Sequence, residues 1–418
     1  MNNGLAIVAP AYEIDSHMAG IGLRAWEFAQ VASRELPVTI IARQRSDLCA
    51  NNVSILGPDD FSLSDLIERH TAFLFYDMPD TRIMLAAHRA GKAIVSDCSV
   101  PIEHLEYSRI RNDRNPDCRY GELVNRFRLQ ALVTDRFIVR SDVYRTTLPV
   151  ALSLVGRLSY EHYNRSAALD HLFSYVPIGF NAASAQHAAG VAPGAPMVDF
   201  TWSGGIWDFY DPVALVEAVA MLDRMGTPVT VRFMYARTEG QVLKESERLH
   251  AAVAEQEVSH LIEFAACPPR HYERDAVIKS GSALVCLGRR GIENFTSVRL
   301  RLRDSFLYRM PLIVDKYGAT GELVRRMKIG IAVDAEDTTE IAQALLTMKT
   351  ESIKVREFTK NIACARPEFE IDAAVREVTR WIRSGARAPD AGTQWQNDLI
   401  QAVLVRHPEL EESPDYPF

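Results

Sequence analysis

Short apolar runs recur along the chain, and stretches with helical spacing lie between them. The runs cover residues 5–9, 38–41, 72–76, 93–96 and 137–139, then 197–202, 229–235, 261–265, 283–287, 312–314 and 330–333. A strand that is apolar at successive positions buries both faces, which is the mark of a parallel sheet covered on each side. Parallel strands need long crossovers, and a helix supplies them. The pattern therefore specifies an α/β fold. It occurs twice, and 418 residues suffice for two separate cores. We divide the chain into a first domain over 1–180, an Ala- and Gly-rich linker over 181–196, a second domain over 197–370, and a closing segment over 371–418. The last of these reads as a closing helix over 371–384, a short helix near 394–405, and a loosely ordered acidic end containing proline.

Charge narrows the function classes. The formal net charge is −7, so general nucleic-acid binding, which needs a basic surface, is not expected. No apolar run approaches the length of a membrane span, and the N-terminus lacks a basic stretch followed by an apolar signal core. The six cysteines are scattered without C-x-x-C or metal-like Cys/His spacing. These features point to a reducing, cytoplasmic setting. Basic helices in the first domain leave peripheral membrane contact open, and the sequence does not fix the oligomeric state.

The chemistry concentrates in residues 291–315, GIENFTSVRLRLRDSFLYRMPLIVD. A carboxylate, Glu293, leads into alternating Ser297, Arg299 and Arg301, then a helical run that stops before Pro311. Arg301, Asp304 and Ser305 fall on one helical face, and Leu302, Phe306 and Met310 form an apolar stripe beside it. Arg303 falls near that apolar arc. A helix start that presents cations and amides suits phosphate. The acid one turn in can take hydroxyls such as those of a ribose.

This stretch resembles the donor-site motif of GT-B glycosyltransferases of the retaining family 4. The likeness is strongest to a bacterial subgroup with the pattern E-T-R-x-S-F-R-T-R-x-L-D-x-x-x-x-G-x-P. Glu293, Ser297, Arg299, Arg301, Asp304 and Pro311 stand at the matching spacings. Val298 replaces an aromatic, and Arg309 with Met310 replaces the usual glycine and its neighbour. Asp304 stands where many relatives carry the second Glu of E-x7-E, with Thr296 eight residues before it. Residues 202–212, WSGGIWDFYDP, resemble the subgroup's W-x-G-G-x-W-x-W-x-D-P. Gly204 and Gly205 would let backbone amides approach phosphate. Asp211 and Pro212 read as a helix cap and first turn. The basic residue that often follows this turn is missing, and Arg299 or Arg301 is the candidate to replace it. Residues 97–106 resemble D-x-Y-D-P-x-x-x-E through Asp97, Pro101 and Glu106, and residues 176–179 resemble V-P-x-G. Residues 268–274 resemble V-P-Y-x-x-R, a turn near the nucleobase in the general fold.

The resemblance implies two Rossmann-like domains facing a cleft, with the nucleotide mainly on the second. It implies transfer of a sugar from a nucleoside-diphosphate donor to a hydroxyl of a small-molecule or glycan acceptor, with retention, no metal and no cofactor. It assigns catalysis to Glu293, Arg301 and Asp97, and donor binding to Gly204, Gly205, Arg299, Asp304, Ser297 and Thr320. Gly20, Gly22, His17 and His104 would meet the acceptor or the transferred sugar. Two alternatives stay open. Residues 20–25, GIGLRA, fit the dinucleotide fingerprint G-x-G-x-x-A, with Arg43 placed to meet a 2′-phosphate, and suggest an NAD(P)-dependent oxidoreductase. A fingerprint should follow its strand directly, whereas about ten residues intervene here. The subgroup carries a similar G-x-G followed by R-x-x-E-x-A, which Arg24, Glu27 and Ala29 match. The second alternative is a pseudo-glycosyltransferase that binds nucleotide without ordinary transfer.

Overall fold

The computed structural model describes residues 4–18, 20–46, 48–236 and 243–412. It separates into two compact units. The first comprises Met1–Pro101, Asn115–Pro177 and Ile371–Phe418; the second comprises Ile102–Arg114 and Ile178–Glu370. This division differs from the one drawn on the sequence. Residues 102–114 group with the second unit, and so do residues 181–196. In that last stretch Ala182–Gly190 is a helix, capped by the Asn181 side chain on the Ser184 amide at 2.8 Å. Its small residues look like a linker in sequence, but alanines also favour helix.

The first unit holds the strands β1 Gly4–Val8, β2 Val38–Ile41, β3 Val53–Leu56, β4 His70–Tyr76, β5 Ala93–Asp97, β6 Arg136–Val139 and β7 Phe173–Tyr175. All pair in parallel in the order β3-β2-β1-β4-β5-β6-β7. The period-two rule is visible in β1. Leu5 and Ile7 enter one buried cluster, and Ala6 and Val8 enter the cluster on the opposite face. Edge strands β3 and β7 are not anticipated by the apolar pattern. They are short and carry Ser54 and Ser174, as edges often do. The helix Asp372–Arg383 belongs to this unit and places Val375, Val378 and Ile382 in the cluster that also contains Trp26 and Ala29 of the helix Gly20–Ala32.

The second unit holds β8 Val198–Gly205, β9 Val231–Tyr235, β10 Ile262–Phe264, β11 Gly281–Cys286, β12 Leu312–Asp315 and β13 Gly330–Val333. These are also all parallel, in the order β10-β9-β8-β11-β12-β13. The chain winds from β8 outward to β10, then returns to β11 on the other side of β8. The order therefore reverses between β8 and β11, and ligands of open α/β sheets bind outside the strand C-termini at that point. The Gly204–Gly205 end of β8 and the 287–291 loop flank it. The short helix Gln394–Leu404 forms where expected, and Leu410 after it is buried. Residues 413–418, most of the acidic end, lie outside the described residues, as does Ala19 in the first loop.

Candidate functional site

The expected helical run before Pro311 is present as Arg301–Tyr308; a second, short helix, Ile292–Thr296, precedes it across residues 297–300. The break comes from side chains that hold the joint. Arg299 is 4% exposed, and it donates to Asn294 Oδ1 from Nε (3.1 Å) and Nη2 (2.6 Å) and to the Cys286 carbonyl (3.1 Å). Its Nη1 is also 2.5 Å from Asp315 Oδ1, which accepts the Gly288 amide at 2.6 Å. Thr320 Oγ1 donates to the Ser297 carbonyl and accepts from the Arg299 amide, each at 3.1 Å. Arg299, Thr320 and the Ser297 backbone therefore form the hub that shapes the loop after β11. The polar groups of Arg299 and Thr320 serve that hub.

Arg301 takes the other role. It is 7% exposed, and its guanidinium lies at the end of β8. Nη2 donates to the Gly205 carbonyl at 2.7 Å, and Nη1 donates to the Tyr210 hydroxyl at 2.8 Å. The guanidinium also sits over the rings of Tyr210 (4.4 Å) and Trp202 (5.5 Å). Among the described residues its Nε has no partner and no carboxylate lies within ion-pair distance of it. A Cβ at Gly204 would come to 2.5 Å from Nη2, so only glycine lets the cation lie there. A buried cation without a counter-ion is costly and seeks an anion. Of the two candidates for the missing basic residue, Arg301 is the one that reaches the turn.

Tyr210 was not singled out in the sequence, because it stands at an unspecified position of the 202–212 pattern. Burial pushes its phenol up, against the pull of Arg301, and the Glu293 carboxylate adds to the rise. It is therefore a neutral hydrogen-bond partner at any ordinary pH. Glu293 is buried in the first turn of its short helix, and its amide donates to Glu106 Oε1 at 3.2 Å. Glu103 Oε1 accepts from Thr296 Oγ1 at 2.6 Å. The start of this short helix thus carries an internal carboxylate, Glu106.

Asp304 is 1% exposed and is bound by Arg274, Arg303 and Ser203. Burial alone would raise its pKa, but Arg274 and Arg303 outweigh it and hold the carboxyl below the usual range. Its oxygens are thus engaged within the protein. This also accounts for Arg303 near the apolar arc, because its charge faces Asp304 there.

The remaining candidates lie elsewhere. Asp97, at the end of β5 in the first unit, is fully buried between Arg24 Nε (2.7 Å) and Arg140 Nε (2.6 Å). Burial works to raise its pKa, yet Arg140 and Arg24 together lower it. Both oxygens are engaged, so Asp97 anchors these two arginines. A Cβ on Gly22 would strike the Glu13 carbonyl, so this glycine serves the approach of the chain's own loop; Gly20 begins the helix with φ +54°. His17 is exposed, with its ring 3.1 Å from Ser16 Oγ. His104 belongs to the second unit, buried, stacked on Tyr107 and 3.2 Å from Arg109 Nη2. The structure thus brings Gly204, Gly205, Arg301 and Asp304 together at the end of β8, with Glu293, Ser297, Arg299 and Thr320 on the adjoining loop. It does not bring Asp97, Gly20, Gly22 or His17 into that unit.

No protein-family model matches the sequence, and no curated protein matches it. Solved structures do. A sucrose-phosphate synthase from Thermosynechococcus elongatus superposes with a TM-score of 0.59 at 11% identity, over 91% of this chain and 98% of that one. Anabaena HepE, in complex with UDP and glucose, gives 0.59 at 13%, over 91% and 100%. A trehalose-6-phosphate protein from E. coli bound with UDP-2-fluoro glucose gives 0.63 at 11%, over 91% and 99%. The chain shares their fold: two Rossmann-like domains of the GT-B type.

Proposed function

We propose that the chain transfers a sugar from a nucleoside-diphosphate donor to a hydroxyl acceptor, a small molecule or a glycan. The observation that carries this reading is Arg301, a buried guanidinium with no carboxylate partner among the described residues, fitted against the Gly204–Gly205 end of β8 at the sheet's switch point. Two structures of the same fold hold UDP or a UDP-sugar analogue, which supports the choice of donor. In the reaction the bond from the anomeric carbon to the diphosphate breaks, a bond to the acceptor oxygen forms, and the acceptor proton passes to the leaving phosphate. Arg301 would stabilise the charge that grows on that phosphate. Glu293 would hold sugar hydroxyls. Retention, independence from metals and a cytoplasmic setting in glycan or secondary-metabolite biosynthesis follow from the sequence resemblance and are part of the proposal.

The saturated Asp304 favours one second reading, a member of the fold that binds nucleotide without ordinary transfer. A thermal-shift screen separates the readings. The ligands are UDP, GDP, ADP, TDP and CDP, their sugars, and NAD(P)H. A ligand that binds only the native state raises its apparent stability. A shift with one nucleoside diphosphate, followed by turnover of its sugar, supports transfer. A shift without turnover supports the second reading. A shift with NADPH alone overturns both in favour of the Gly20–Ala25 loop.

A further inference from the structure

The end of β8 is held by three hydrogen bonds at Ser203 and Gly205, two of them to the helix Arg301–Tyr308 and one from Arg274. Arg301 Nη2 donates to the Gly205 carbonyl at 2.7 Å. One turn along, Asp304 Oδ2 accepts from Ser203 Oγ at 2.8 Å. Arg274, gripped by both oxygens of Asp304 at 2.9 and 2.7 Å, donates to the Ser203 carbonyl at 3.2 Å. An ionised carboxylate offers about four acceptor positions. Four donors fill them here: Arg274 and Arg303 on Oδ1, Arg274 and Ser203 on Oδ2. No lone pair remains for a ribose hydroxyl, and the group is buried.

We infer that Asp304 is a positioning residue: it does not touch the donor but fixes Ser203, and through it the Gly204–Gly205 turn against which Arg301 is fitted. The inference rests on the donor reading above and deepens it. The diphosphate is met by a turn and a guanidinium that the Asp304–Arg274 pair holds in register. The ribose is recognised without help from this acid. The fit is tight, since a Cβ at Gly204 would already meet the Arg301 guanidinium. Releasing Ser203 therefore disturbs the space that Arg301 occupies.

Two probes distinguish a ribose ligand from a positioning residue: UDP, which carries a ribose, and inorganic pyrophosphate, which does not. Each is titrated calorimetrically into wild type, Ser203→Ala and Asp304→Asn, with urea unfolding of all three. We expect Ser203→Ala to stay folded and to weaken both probes by a similar factor, about tenfold, the loss of one hydrogen bond to a charged group. Asp304→Asn should weaken both at least as much. If it fails to fold, Ser203→Ala decides alone, because it leaves the Arg274–Asp304 pair intact. UDP weakened with pyrophosphate unchanged makes Asp304 a ribose contact and overturns the inference. So does a folded Ser203→Ala with neither probe weakened, or a wild type that takes UDP but not pyrophosphate. A wild type that binds neither removes the donor reading itself, and the inference with it.

Discussion

Two arginines, six and eight residues after Glu293, have opposite fates, and the difference lies in what faces them. Arg299 meets Asp315 and Asn294 and is spent on structure, whereas Arg301 meets a carbonyl and a phenol and keeps its charge uncompensated. Sequence spacing puts both on the candidate list but cannot tell which has a carboxylate waiting, because Asp315 arrives from another strand. Arg301→Gln should keep the fold and weaken binding of the nucleoside diphosphate by about 1–3 kcal/mol, read by calorimetry. Asp97 shows the converse case. It too was chosen as a strand-end acid, and it proves to be the shared counter-ion of Arg24 and Arg140. Removing one partner of a buried ion group strands the others. Asp97→Asn should therefore cost about 3–5 kcal/mol of stability in urea unfolding.

The elements themselves were largely legible. Central strands announce themselves because they are apolar on both faces, and the Asp211–Pro212 helix start is written in its cap, with Asp211 Oδ1 3.3 Å from the Ala214 amide. The break between Ile292–Thr296 and Arg301–Tyr308 was not legible, since it depends on Asn294, Asp315 and Thr320 meeting Arg299 across the fold. The end of the second helix was half legible. The pattern implied glycine where Arg309 stands, and Arg309 adopts the left-handed conformation, φ +58°, at the C-cap. Its amide donates to the Ser305 carbonyl, so the turn is kept despite the side chain. A non-glycine residue in that region costs about 1–2 kcal/mol, partly offset by the greater freedom glycine loses on folding. Arg309→Gly should thus stabilise the second unit by roughly 0.5–1 kcal/mol, measured as a higher midpoint in urea.

On the scale of the whole molecule, stability should follow two half-buried histidines before it follows the carboxylates. His271 is lowered from 6.5 to about 4, by burial first and then by Arg303 and Arg274. His171, in the other unit, is lowered to about 4 by burial and then by His162 and neighbouring arginines. Each is neutral in the folded chain where the unfolded chain already takes a proton. Their contribution is complete above pH 6.5, falls as pH drops towards 4, and is constant below that. The lowered carboxylate of Asp304 works in a separate window, since its contribution is lost only as pH falls below the ordinary value of 3.8. Thermal melts from pH 7 to 4 should show Tm falling across this range, and His271→Gln should flatten the slope of the second unit's transition. The division of the chain also bears on how a ribosome delivers it. The cluster around Trp26 and Ala29 is completed by Ile371, Val375, Val378 and Ile382, which are synthesised after all of residues 178–370. Translation therefore releases everything the second unit needs while the first still lacks part of its core, so the half that begins synthesis first is the one that finishes folding last.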